Sequence, residues 1–179
     1  ADIFDIITAP RVFGRWDLFI AHPPCTYLCN SGIRWLYKDG IRWVSPGKEN
    51  PIDRQRWKLM EEGAEFFNRL WHSNHTKHIC MENPRPHPYA SERIGPSTQV
   101  IQPWMFGDYA TKETHLWIRG LPLLVPVYKT AEECRIAHGI PEGKKPSNEI
   151  HFASPGPNRG KIRSMTFPGI ARAFAEQWG

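Results

Sequence analysis

The chain has 179 residues, 40% of them hydrophobic, which suits one globular core, so we predict a single domain over residues 1–179. No apolar run is long enough to cross a membrane and no charged-then-apolar leader is present, which argues against a membrane protein or a signal peptide and predicts a cytoplasmic location. The four cysteines lack disulfide-type spacing and are expected to be reduced, and the formal net charge of +5 permits an anionic partner without requiring one.

The first part of the chain predicts a buried strand that ends in a polar loop. Asp2 starts a segment typical of the middle of a domain, and no glycine-rich turn follows it, so we expect an N-terminal strand, turn and helix to be missing. The apolar run over residues 16–21 predicts a strand, and residues 22–32 follow it as a loop. Residues 33–49 mix Trp, Arg and Lys with Gly and Pro, which predicts a mobile basic loop.

The next segment predicts a helix and a second strand. From Pro51 to Trp71, apolar residues recur every three to five positions with charged residues between them, the pattern of an amphipathic helix. Residues 78–81 then form an apolar run typical of a strand. A strand, helix, strand unit of this kind predicts a parallel pair.

The second half of the chain predicts a hairpin, an irregular segment and a closing helix. Residues 100–104 and 114–118 are strand candidates that could pair as a hairpin. Residues 120–161 are rich in Pro, Gly and basic side chains, so we expect them to be flexible and irregular. Pro168 to Trp178 predicts a helix with proline in its first turn.

The two strand ends carry a thiol and a carboxylate. Cys25 follows Pro23 and Pro24 after the first strand, and Glu82 precedes Pro84 at the end of the second. Carboxyl ends of neighbouring parallel strands are where open α/β sheets build their sites. A thiolate that adds to C6 of cytosine makes C5 nucleophilic, and a carboxyl group at the N3/N4 edge stabilises the charge that develops. The prolines stiffen both loops, which helps to hold two side chains against a planar ring.

Other interpretations of these side chains remain open. A cysteine at a strand end is often a small buried apolar residue, and Glu-Asn-Pro is a common turn signal. Zinc is a second alternative, since Cys25 and Cys29 and the histidines at 72, 75 and 78 have suitable spacings, although histidines where a helix ends need no metal. Trp57 is predicted to be core, whereas Trp35 and Trp43 suit core packing and DNA contact equally.

Several motifs resemble one family. The chain is similar to the short DNA cytosine methyltransferase-like proteins of phages and prophages, and more distantly to the DNA cytosine-5 methyltransferases. The segments that carry the resemblance are Trp-Asp-Leu-Phe-Ile-Ala-His-Pro-Pro-Cys-Thr-Tyr-Leu at 16–28, Met-Glu-Asn-Pro at 81–84, Gln-Pro-Trp-Met-Phe-Gly at 102–107, Thr-Lys-Glu-Thr-His-Leu-Trp at 111–117, and Arg-Ser-Met-Thr-Phe-Pro-Gly-Ile-Ala at 163–171.

The resemblance implies roles for particular residues. Cys25 would be the nucleophile, Glu82 the acid that binds the base, and Pro23 the floor of the pocket. The residues expected to contact the DNA substrate are Pro23, Pro24, Asn83, Pro84, Lys112 and Arg163, and those expected to contact the cofactor S-adenosylmethionine are Asp2, Ser164 and Thr166. Lys112 or Arg119 would replace the arginine motif of larger relatives.

The resemblance also implies a fold and an activity. We expect an α/β, Rossmann-like methyltransferase domain with a mostly parallel sheet that methylates C5 of cytosine in DNA. The segment 120–161 would stand in place of a target recognition domain. Because the glycine-rich cofactor turn is absent, we expect weak binding of S-adenosylmethionine and some self-association. The alternative is a non-catalytic DNA-binding or structural relative that kept the fold but lost the cofactor site.

Overall fold

The computed structural model describes residues 3–4, 16–74, 76–149 and 164–179. The chain divides into two compact units, one of Ala1–Gln99 with His115–Leu121 and the other of Val100–Thr114 with Pro122–Gly179. Six strands are described: β1 (Leu18–Ala21), β2 (Trp43–Ser45), β3 (Lys48–Glu49), β4 (His78–Pro84), β5 (Gln99–Ile101) and β6 (Thr114–Arg119). The helices are α1 (Arg54–Trp71), α2 (Pro88–Ile94), α3 (Ala131–Ala137) and α4 (Pro168–Trp178), with 3₁₀ helices at Asn30–Leu36, Lys38–Gly40 and Pro103–Phe106.

The main sheet is small and mixed. Its four strands lie in the order β1-β4-β6-β5. Only β1 and β4 pair in parallel, and the remaining pairs are antiparallel. The parallel pair and the antiparallel β5–β6 pair confirm two predictions, but the predicted mostly parallel Rossmann-like sheet is wrong. The physical reason is the position of β6, which lies between β4 and β5 and runs against both, so that neither strand gains a second parallel partner.

The long helix α1 follows the amphipathic pattern of its sequence. Asp53 caps it by accepting a hydrogen bond from the Arg56 backbone N–H at 3.0 Å. Its buried face contacts the sheet, where the ring of Phe67 lies 5.0 Å from that of Trp117 on β6 in an edge-to-face arrangement. The core around them includes Leu28, Met60, Ala64, Leu70, Ile79 and Met81. This core fixes the positions of the strands that carry the candidate site.

Two loop predictions need correction. The segment 33–49 is not simply a loop, because it contains 3₁₀ turns and the β2–β3 hairpin, and because its residues Leu36 and Tyr37 are buried. Part of the segment 120–161 is helical: α3 begins after Thr130, whose side chain accepts the Glu133 backbone N–H at 3.1 Å. Residues 150–163 lie outside the described part of the chain.

The closing helix α4 has the predicted bounds, Pro168–Trp178. Within the second unit, the carboxylate of Asp108 accepts the Gly169 backbone N–H at 2.7 Å and so caps the start of this helix. A Cβ at Gly169 would lie 2.1 Å from the carbonyl oxygen of Phe106, which explains glycine at this position. Among the described residues, no helix has the length and apolar character needed to cross a membrane.

Candidate active site

The register of the parallel pair brings His22 beside Glu82. Ala21 pairs with Met81, so the next residues along the two strands are neighbours, and the alternation of side chains points both to the same face. His22 Nδ1 lies 2.8 Å from Glu82 Oε2. The imidazole side chain is 44% exposed and the carboxylate only 11%, so Glu82 is held in a mostly enclosed position by a residue open to solvent.

Asn83 fastens the Pro-Pro loop to β4. Its side chain is 1% exposed, and its Nδ2 donates a hydrogen bond to the carbonyl oxygen of Pro23 at 3.2 Å. Pro23 is buried, whereas Pro24 is exposed. The Asn83 Oδ1 atom is buried and has no hydrogen-bond partner among the described residues. The predicted pocket residues Pro23 and Asn83 are therefore in direct contact, and their hydrogen bond holds the Pro-Pro loop against β4.

Cys25 begins a tight turn that is anchored at its far end. Its carbonyl oxygen accepts the backbone N–H groups of Leu28 and Cys29 at 3.0 and 2.9 Å. The turn is tied to the segment after β4 by His87, whose backbone N–H donates to the Leu28 carbonyl at 2.9 Å. The thiol is partly buried, and none of the four cysteines forms a disulfide.

His87 is a structural residue that the sequence analysis missed. It is fully buried, its Nδ1 accepts the Ala90 backbone N–H at 3.0 Å, and its Nε2 lies 2.9 Å from the carbonyl oxygen of Tyr27. These partners require a neutral ring that donates from Nε2, and burial lowers the pKa of His87 in agreement with this. The His-Pro pair before a helical segment was the available signal, because proline marks a first helical turn.

The surroundings of Cys25 favour its protonated thiol. The hydrogen bond with Cys29 is the largest cause that raises the pKa of Cys25 well above its usual range, followed by burial and then by the charges of Cys29 and Glu82. Burial and the same carboxylate raise the pKa of Cys80 to about 12. Because a thiolate is a far stronger nucleophile than a thiol, attack by Cys25 would require part of this effect to be removed. Neutralising Glu82 would remove one of its causes.

The other predicted site residues fall in three groups. Arg119 is not at the site, because its guanidinium donates to the carbonyls of Trp71 and Ser73 beyond the opposite end of β4. Lys112 belongs to the second unit, is buried, and donates from Nζ to the Met165 carbonyl at 3.1 Å. Ser164 is exposed and Thr166 is half-buried in that same unit. Asp2 and Arg163 lie outside the described residues, as does His75, one of the three histidines of the zinc spacing.

The zinc alternative finds no donor cluster in the described part of the chain, where no three His, Cys, Asp or Glu side chains could hold one ion together. His72 is the C-terminal cap of α1, and His78 Nδ1 lies 3.0 Å from the carbonyl oxygen of Asp17. The backbone N–H of His72 and the imidazole of His78 therefore have local partners where the helix ends and the strand begins.

The aromatic residues near the site differ in exposure. Trp57 packs against the core with its ring 5.0 Å from that of Tyr89, which confirms its predicted role. Trp35 and Trp43 are 42% and 52% exposed, and each has an arginine over its ring, Arg34 at 4.5 Å and Arg42 at 5.0 Å. Neither Trp35 nor Trp43 is therefore part of the buried core.

Comparison with known proteins adds no assignment: no family model matches the chain, and no curated protein matches it. Function must therefore be argued from the residues at the ends of β1 and β4.

Proposed function

We propose that the protein transfers a methyl group from S-adenosylmethionine to C5 of cytosine in DNA through a covalent Cys25 adduct. One observation carries the proposal: Cys25 follows β1, Glu82 lies near the end of β4, which pairs with β1 in parallel, and the carboxylate raises the pKa of the thiol. A nucleophile and an acid on neighbouring strand ends can address C6 and the N3 edge of one pyrimidine ring.

The chemistry begins with addition of the thiol to the ring. The Cys25 S–H proton leaves to water as the Sγ–C6 bond forms, and the π electrons of the ring shift to N3. Glu82 gives N3 a proton, which leaves an enamine whose C5 can attack an electrophilic methyl group. As C5 takes the methyl group, the donor leaves as a neutral thioether and N3 returns its proton to Glu82. Loss of the C5 proton to water and departure of the sulfur as a thiolate then restore the ring. Glu82 must be protonated before it can donate to N3, and in that form it lacks the negative charge that disfavours the Cys25 thiolate.

The chain's own residues position these groups. Asn83 holds the Pro23 carbonyl, and His87 anchors the turn that starts at Cys25. Both anchors are buried, so thiol and carboxylate are held before substrate arrives. The target base must leave its duplex to reach them. The exposed, arginine-stacked Trp35 and Trp43 and the net positive charge support DNA as the partner.

S-adenosylmethionine enters the proposal through the family resemblance, as the source of an electrophilic methyl group. Ser164 is exposed and Thr166 is only half-buried, so neither provides the enclosed contact that an adenosyl group needs. We therefore assign no step to these side chains. Lys112 as a DNA contact likewise stays a prediction.

The non-catalytic alternative is favoured by one specific observation, the raised pKa of the resting Cys25 thiol. Adduct trapping separates the two functions. DNA that contains 5-fluorocytosine, incubated with protein and S-adenosylmethionine, should form a covalent complex that Cys25→Ser abolishes, because fluorine at C5 blocks release of the enzyme. Cys134→Ala, a change at another buried cysteine, is the matched control and should still form the complex. A complex that survives Cys25→Ser would contradict the proposal, and so would its absence in the wild type.

A further inference from the structure

His22 is hydrogen-bonded to Glu82 and is itself open to solvent. The carboxylate is mostly enclosed, and its Oε2 atom is hydrogen-bonded at 2.8 Å to the Nδ1 of an imidazole that is nearly half-exposed. The position of His22 is well defined, because the residue before a proline is restricted to extended backbone and because β1 pairs in register with β4 up to Ala21. The ring is thus a fixed contact between the carboxylate and water.

We propose that His22 is a positioning residue that orients Glu82 and supplies, through it, the proton that cytosine N3 gains when Cys25 adds to C6. Because it acts through Glu82, this role rests on the proposed function. In the imidazolium form, Nδ1 first passes its proton to the Glu82 carboxylate, and the carboxyl group so formed gives a proton to N3. The imidazole that remains is neutral and keeps its proton on Nε2. Its Nδ1 regains a proton from water before the next turnover, so charge and protons balance.

The other titratable groups around Glu82 cannot take this part. The thiols of Cys25 and Cys80 both interact with the carboxylate, but their raised pKa values show that it disfavours their ionisation. On β6, His115 Nδ1 is bound to Ser97 Oγ at 2.9 Å. Arg119 binds carbonyls at the other end of the sheet and has no proton to give. His22 alone combines a direct hydrogen bond to Glu82, in the described part of the chain, with access to water.

The proton role predicts a particular dependence of rate on pH. General acid catalysis of this kind contributes about a hundredfold or more to a rate. Imidazolium as a class is a weaker acid than a carboxyl group and so remains a source of protons at higher pH. The loss caused by removing His22 should therefore be largest at neutral and alkaline pH and smallest in acid. A purely structural contact would instead change the rate by one factor at every pH.

The test measures the rate of adduct formation from pH 5 to pH 9 on DNA that contains pyrimidin-2-one. This base keeps N3 and accepts a thiolate at C6 without a methyl donor, so the result does not depend on cofactor binding. His22→Asn keeps an amide donor where Nδ1 lies but cannot carry the proton. We expect it to be about a hundredfold slower than wild type at pH 7.5 and to approach the wild-type rate near pH 5.

Two controls keep the result interpretable. His78→Asn changes the imidazole at the start of β4 that contacts the Asp17 carbonyl, and it should leave the profile unchanged. His22→Ala opens space at an exposed position, and added imidazole should restore its rate at pH 7.5. An equal loss at every pH for His22→Asn, an unchanged rate, or failure of imidazole to rescue His22→Ala would overturn this role. No adduct in the wild type would instead overturn the proposed function itself, and this role with it.

Discussion

Replacement of Asn83 by alanine should destabilise the protein through one buried hydrogen bond. The side chain is 1% exposed, and its Nδ2 is 3.2 Å from the carbonyl oxygen of buried Pro23. Leaving a buried acceptor without its donor costs about 1–3 kcal/mol. Removal of the unpartnered Oδ1 atom returns part of this cost, so we expect a net loss of about 1–2 kcal/mol in the free energy of unfolding.

The measurement is the thermal midpoint of unfolding of Asn83→Ala, which should fall by about 2–8 °C for a chain of this size. Asn68→Ala is the matched control, because its Nδ2 also donates to a backbone carbonyl, that of Arg93 at 3.0 Å, but from a half-buried position where water can replace it. We expect a loss of about 0.5–1 kcal/mol there. If Asn83→Ala is no more destabilising than Asn68→Ala, the proposed anchoring of the Pro-Pro loop is wrong.

Glu82→Gln should lower methyl transfer far more than DNA affinity, because the carboxyl group acts on the reacting base while affinity depends mainly on phosphate contacts. Steady-state turnover and equilibrium DNA titration of the same variant measure the two effects. Equal losses in both would mark Glu82 as structural. Cys29→Ala removes the largest cause of the raised pKa of Cys25, so at a fixed pH near 8 a larger fraction of Cys25 should be thiolate and its alkylation by iodoacetamide should be faster. Peptide mass spectrometry measures that rate, with Cys134→Ala as a control expected to leave it unchanged; a slower or equal rate in Cys29→Ala would show that the neighbouring thiol does not restrain Cys25.

Local sequence patterns predicted most of the helices and strands. The order and direction of the strands in the sheet depend on long-range pairing and could not be predicted in the same way. The spacing of apolar residues defined α1 and α4, and two apolar runs defined β1 and β4. The sheet was predicted wrongly because insertion of β6 between β4 and β5 leaves no local signal. Helix α3 did have a local signal, because Thr130 stands three residues before Glu133 in the pattern of a helix start. The abundance of Pro and Gly in the same segment instead favoured the prediction of an irregular loop.

The candidate site shows the same limit. Cys25 and Glu82 could be named from their motifs because each follows an apolar run and lies within two residues of a proline. The contact between His22 and Glu82 could not, since it depends on the register that pairs Ala21 with Met81. A shift of one residue would place the two side chains on opposite faces of the sheet.

The most direct test of the central claim is to locate the sulfur that carries the base. The trapped complex with 5-fluorocytosine DNA would be digested with protease and nuclease, and the modified peptide sequenced by mass spectrometry. Cys25 and Cys29 lie in one turn, so fragmentation between them distinguishes the two thiols. The proposed function predicts the modified nucleotide on Cys25. Modification of Cys29 or of any other residue would contradict it.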